Sequence, residues 1–273
     1  MTDFELAHAY ETVNLHRAGG AAKIELNRPE SLNAWNRQFG FDLLEAVRAV
    51  ADDEEVRAVL VTGAGRGFSS GADLKEMGQN DDRTPDGRPD VRTTLVERYH
   101  PIITGIRRMP KPVVAAVNGP AVGIGCSLAL ACDLIVAKQS AYLLLAFVNI
   151  GLVPDGGSSV FIPARAGHTR AFEMALLGER VPAEQAEHWG LINRVWPDED
   201  FEARTNELVT RLAGGPTRSY AGTKRQLNHR LYWGMDEQLD LEAEIQQEMA
   251  ESQDFVEGVM AFVERRSARF AGA

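Results

Sequence analysis

The chain has 273 residues, 44% hydrophobic and 25% charged, enough to bury a full core as one large domain or one domain with an extension. Its 39 acidic residues outnumber 29 Lys and Arg, for a formal charge of -10, so no basic stripe exists to neutralise phosphates and no nucleic-acid partner is expected. The first residues lack a basic segment followed by an apolar one, and no apolar run is long enough to cross a bilayer; a cytoplasmic protein with no membrane partner is expected.

Val13 to His16 and Ala21 to Leu26 flank Arg17-Ala18-Gly19-Gly20 and read as a hairpin. Asn36 to Val50 places Phe39, Leu43, Leu44, Val47 and Val50 at helical spacing. An acidic turn then leads into Val56 to Thr62, a strand ending at Gly63. Met77 to Asp90, with Gly78, Pro85, Gly87 and Pro89, reads as a mobile surface loop. Thr93 to Arg108 is predicted helical, with Pro101 as a break or kink. Pro112 to Asn118 is a β-branched strand, followed by a glycine turn, a helical run over Cys126 to Ala131 and a strand over Asp133 to Ala137. This alternation predicts an α/β core with crossover helices.

From Arg165 the pattern turns helical, over Ala171 to Leu177, Ala183 to His188, Phe201 to Ala213, Ser219 to Leu231, Met235 to Ala250 and Phe255 to Phe270. Met235 to Ala250 keeps Leu239, Leu241, Ile245 and Met249 among acidic neighbours and needs a partner surface. The expected division is a core over residues 1–200 and a helical region over 201–273 for packing and oligomerisation.

Three glycine-rich turns hold the residues with chemical potential. They are Phe68-Ser69-Ser70-Gly71-Ala72-Asp73, Asn118 through Cys126, and Gly151-Leu152-Val153-Pro154-Asp155-Gly156-Gly157. Backbone N–H groups from two turns could converge on one oxygen, and such donors at a helix start suit developing negative charge. Asp155 fits a turn-forming aspartate equally well. The apolar run Tyr142 to Val148 makes dry surroundings plausible for it, and these raise a carboxylate's pKa and improve it as a base. Gly65-Arg66-Gly67 and Gly123-Ile124-Gly125 match neither the dinucleotide fingerprint nor the phosphate loop. Cys126 and Cys132 lie in an apolar stretch and read as buried thiols, and no histidine pair has metal-ligand spacing.

At these turns the chain resembles the enoyl-CoA hydratase/isomerase (crotonase) superfamily, from near Val13 almost to Phe270. The resemblance is carried by Asn27 to Trp35, Val59 to Gly63, Phe68 to Met77, Lys111 to Gly119, Ala131 to Leu134 and Glu257 to Arg266. It implies a crotonase-like α/β spiral of strand-strand-helix turns, with C-terminal helices building a homotrimer or hexamer. It implies an acyl-CoA substrate, coenzyme A being part of the thioester, with no further cofactor and no metal. The amides of Ser70 and Ile124 match the oxyanion-hole donors. Ser31, Leu32 and Ala34 match the strip that meets coenzyme A, and Ala72, Asp73 and Leu74 line its adenine and pantetheine side. Arg28 matches a phosphate contact, and Phe262 and Arg265 match residues that reach a neighbouring subunit's coenzyme A.

One departure bears on the reaction. Where family hydratases hold two glutamates, this chain has Ser127 and Phe147, and neither can act as a carboxylate base. Asp155 instead falls where several branches place a lone acid, and the run Ala146 to Gly157 looks most like the phenylacetate-type isomerase. The resemblance therefore implies an enoyl-CoA isomerase with Asp155 as the single base. A hydratase, an aspartyl dehalogenase and a non-catalytic acyl-CoA-binding protein are the alternatives.

Overall fold

The structure, a computed structural model, describes residues 4–75, 83–85 and 87–273. The chain opens with β1 (Glu5–Ala9), β2 (Val13–Ala18), β3 (Ala21–Leu26), α1 (Arg37–Asp52) and β4 (Ala58–Gly63). Next come α2 (Val91–Thr94), a π-helical turn (Leu95–Tyr99), α3 (His100–Arg108), β5 (Val113–Val117), β6 (Ala121–Val122) and α4 (Ile124–Ala131). β7 (Leu134–Lys138), β8 (Tyr142–Leu144) and a 3-10 turn (Phe147–Ile150) lead into α5 (Ser158–Leu177), β9 (Val181–Pro182), α6 (Ala183–His188) and β10 (Arg194–Trp196). The helices α7 (Phe201–Ala213), α8 (Thr217–Leu231), α9 (Met235–Ala250) and α10 (Gln253–Glu264) follow.

The main sheet has the order β1-β2-β3-β4-β5-β7-β10. The first three strands pair antiparallel and the rest parallel. A smaller sheet, β6-β8-β9, stands apart from it. The central strands are buried on both faces, as parallel strands between helices require. Val59, Val61, Val113, Ala115 and Val117 face the main core with Phe39, Leu43, Val47, Ile102 and Ile106 of α1 and α3. Their alternates, Ala58, Leu60, Val114 and Ala116, face Phe201, Val209 and Ala213 of α7. This two-residue alternation is the pleat at work. The repeated β–α turns and the α7–α10 region give the crotonase-like α/β spiral expected from the sequence.

Three expectations need correction. The last helix stops at Glu264, because Arg265 adopts a left-handed φ of 56° and its N–H turns back to the carbonyls of Ala261 and Phe262. Pro101 does not break its helix; it lies in the first turn of α3, where a missing N–H is tolerated, and the irregularity is the π-helical turn just before it. In α9 the buried face carries Met235, Leu239, Glu242, Ala243, Gln246 and Ala250, while Leu241 is exposed. Of the expected loop at 77–90, residues 77–82 and 86 lie outside the described residues.

Leu32 and Asn33 both adopt left-handed backbone, with φ of 55° and 57°, which an L-residue occupies only when held there. Asn33 supplies the hold. Its fully buried side chain donates to the carbonyls of Ala64, Gly67 and Phe68 at 3.0, 2.9 and 3.2 Å and accepts from the Arg28 N–H at 2.8 Å. Asn33→Ala is expected to cost about 2–4 kcal/mol by leaving these groups unpaired, read as a lowered melting temperature.

Candidate active site

The first two turns are zipped together. The N–H groups of Phe68 and Ser69 donate to the Pro120 carbonyl at 3.1 and 3.0 Å, and the Val122 N–H returns a bond to the Ser69 carbonyl at 2.9 Å. Gly125 permits the approach, since a Cβ there would stand 2.6 Å from the Ser69 side chain. On the second turn Gly123, with φ 54°, starts α4 and leaves the Ile124 N–H as the first amide of the helix. That amide has no acceptor among the described residues. Such an end carries positive potential.

The Ser70 amide is not available as an oxyanion donor: it donates to the Leu32 carbonyl at 2.9 Å, and its hydroxyl to the Ser31 carbonyl at 2.9 Å. The unengaged N–H on this turn is that of Ala72. Its neighbours bridge to Trp35, with the Gly71 carbonyl accepting from the Trp35 N–H and the Asp73 N–H donating back, and the Ala72 N–H meets no acceptor among the described residues. Periodicity carries no sign of this two-residue offset; it follows from which amides the Ser31–Trp35 segment consumes.

The third turn packs onto the second. A Cβ on Gly156 would stand 2.4 Å from Ile124 Cδ1 and 2.9 Å from Ser127 Cβ. Ser127 Oγ donates to the Asp155 backbone carbonyl at 2.7 Å, as does Ser158 Oγ at 2.8 Å. Ser127 thus fixes the turn that carries the acid. Asn149 packs locally, donating to the Gly178 carbonyl at 2.9 Å. The Phe147 ring is buried beside Gly123.

Asp155 is 4% exposed. Oδ2 accepts from Gln246 Nε2 at 2.8 Å, whereas Oδ1 is buried with no partner among the described residues. Burial pushes its pKa up to about 8, and the nearby Glu242 carboxylate adds to the rise against the Gln246 hydrogen bond. Glu242, on α9, accepts from the Gly157 N–H at 2.8 Å, the Ser159 N–H at 3.3 Å and the Ser159 hydroxyl. Burial raises it to about 7, opposed by those bonds. Sequence reasoning missed both α9 residues. The available signal was two polar side chains on the Leu239–Ala243–Ala250 stripe.

The expected coenzyme A strip runs beside the first turn through the Ser31 and Leu32 carbonyls, with Ala34 buried and Ala72, Asp73 and Leu74 half-buried. Arg28 clamps this strip: Nη1 donates to the Ala34 carbonyl at 2.6 Å and to Asp73 Oδ2 at 3.0 Å. Both side chains are nearly buried, so the Asp73 charge already offsets the guanidinium that was expected to serve a phosphate. Phe262 is 56% exposed and Arg265 caps α10; neither forms a hydrogen bond or ion pair with this strip among the described residues. Cys126 and Cys132 are free thiols pushed up to about 12 by burial. Among the described residues no group of three or more His, Cys, Asp or Glu could hold a metal ion, and no helix is long and apolar enough to cross a membrane.

The fold and its three converging turns define a crotonase-like α/β protein. The family model for enoyl-CoA hydratase/isomerase matches residues 16–273. The chain is 39% identical over 262 residues to the 1,2-epoxyphenylacetyl-CoA isomerase of Escherichia coli, covering 96% of this chain and 99% of that one. It is 40% identical over 264 residues to the "Probable enoyl-CoA hydratase" of Rhodobacter capsulatus, covering 97% and 99%. The crystal structure of an enoyl-CoA hydratase from Mycobacterium avium subsp. paratuberculosis superposes with a TM-score of 0.87 at 38% identity, covering 96% and 100%. The chain belongs to the enoyl-CoA hydratase/isomerase family.

Proposed function

We propose that the chain acts on an enoyl-CoA thioester and moves its double bond by single-base proton transfer. The thioester oxygen rests on the amides of Ile124 and Ala72, which stabilise the enolate formed when Asp155 removes the proton beside the carbonyl. The protonated acid returns that proton two carbons further along, so the double bond shifts toward the thioester and Asp155 is regenerated. Each oxyanion donor contributes ~3–4 kcal/mol in comparable sites. The observation that carries this reading is the buried Asp155 carboxyl with its unpartnered Oδ1, in a wall where Ser127 and Phe147 supply no acid. The likeness to the Escherichia coli isomerase supports the phenylacetate-type branch.

Hydration of a 2-enoyl-CoA is the second reading, and the names of the relatives favour it more than isomerisation. In that reading Asp155 activates a water. Product analysis in deuterated water, with 3-enoyl-CoA and 2-enoyl-CoA offered separately, divides the two. Rearranged 2-enoyl-CoA free of 3-hydroxyacyl-CoA is expected; efficient 3-hydroxyacyl-CoA formation would give the reaction to the hydratase.

The exposed Val256, Met260, Phe262 and Val263 of α10 support a role for residues 201–273 in joining copies as a homotrimer or hexamer. Phe262 and Arg265 would then reach a neighbour's coenzyme A. A solution mass of three or six chains by light scattering is expected, and a monomer would overturn it.

A further inference from the structure

We propose that Gln246 is a positioning residue for Asp155, donating to Oδ2 so that Oδ1 is the one atom left to take and return the substrate proton. The inference rests on the reading of Asp155 as the base. Gln246 is 0% exposed, and among the described residues its side-chain amide makes one bond, the 2.8 Å contact to Oδ2. Among the described residues its own Oε1 is buried without a partner, as is Asp155 Oδ1. A buried acid and a buried amide that each leave one oxygen unbonded incur a desolvation cost that an ordinary core avoids. The arrangement makes sense where one oxygen must stay open to a reacting proton. Oδ2 can accept from Gln246 whether the acid is charged or carries its proton on Oδ1, so a single geometry serves both halves of a proton shuttle.

Glu242 lies one helical turn before Gln246, on the same face of α9. By accepting from Gly157 and Ser159 it fastens the first turn of α5, directly after Asp155. Thus α9 grips the acid on its side chain and on the backbone that follows it. Around Asp155, α4 and α5 present the hydroxyls of Ser127 and Ser158 to its backbone carbonyl, and the charged group acting on its carboxyl is Glu242.

The test compares the full-length protein with Gln246→Met, apolar and close in size, and Gln246→Glu, which keeps the shape but donates only when protonated. Two readouts are taken: the pH profile of kcat/KM with 3-hexenoyl-CoA, and the carboxyl titration of Asp155 by 13C NMR, assigned by its loss in Asp155→Asn. A hydrogen bond to the charged form favours it, so its removal in Gln246→Met is expected to move both the titration and the rising limb up by about one pH unit. The plateau kcat should fall about 10-fold with KM unchanged. Gln246→Glu should be active only over a window of pH, rising as the carboxyl pair gives up its first proton and falling as it gives up the second. An unmoved titration and limb, with only a lowered melting temperature, would make Gln246 a packing residue. If Gln246→Met does not fold, a wild-type profile in Gln246→Glu overturns the proposal equally. Full turnover in Asp155→Asn would instead remove the base itself, whatever Gln246 does to the titration.

Discussion

Asp155→Asn is expected to lower kcat by about 10²–10⁴-fold while acyl-CoA binding, measured by calorimetry, stays within a few-fold of wild type. The amide keeps the shape of the carboxylate and leaves the turn intact, because Ser127 and Ser158 bond the backbone of residue 155 and not its side chain. It cannot accept the proton. On the proposed reading the same acid sets the pH profile of the wild type. Only the ionised carboxylate can act as base, and its pKa is pushed up to about 8, so kcat/KM is expected to rise with pH and level off above about 8. Unchanged turnover in Asp155→Asn would sink the assignment. A profile already flat from pH 6 would mean that the acid is ionised well below that value.

The second large effect is on stability, and its sign is opposite. Asp155 has an ordinary pKa of 3.8 and is raised in the fold to about 8; Glu242 rises from 4.5 to about 7. Between those values the native state holds protons that the unfolded chain has released. The contribution of these two carboxyls to stability therefore falls as pH rises from about 4 to about 8 and is flat above, by linkage. Asp155→Asn removes the larger part of that dependence. The variant should melt with wild type near pH 4 and above it at pH 9, by a margin on the order of 2 kcal/mol, or several degrees for a chain of this size. Gln246 can assist by turning its unpartnered Oε1 toward the new amide. Equal melting temperatures at pH 9 would show that the carboxylate is not held at a cost. Loss of turnover joined to a gain in stability is the mark of a group kept for chemistry.

The parts of the fold legible in the sequence are those with a period long enough to count. The helices Ala183–His188, Phe201–Ala213 and Met235–Ala250 begin and end where expected, and β3 matches its prediction as well. The two- and three-residue strands β6, β8 and β9 carry no period, and β1 is exposed along all five residues. The start of α5 was hidden by Pro163 and by Gly167, whose φ of 82° interrupts the helix. In the site, Asp155 stands out because glycines flank it. The Ala72 and Ile124 amides are backbone groups, and only the pairing of their neighbours distinguishes them from Ser70. Gln246 lies 91 residues from the acid it touches, a separation that no local pattern bridges.

That separation also sets a timetable for the molecule. The three turns are all translated by residue 157, but the helix that grips the acid comes from residues 235–250. Until α9 is made, Asp155 has neither its Gln246 hydrogen bond nor the Glu242 carboxylate that adds to its raised pKa. A chain cut before residue 235 would therefore carry all three turns while leaving Asp155 without the bond that α9 supplies.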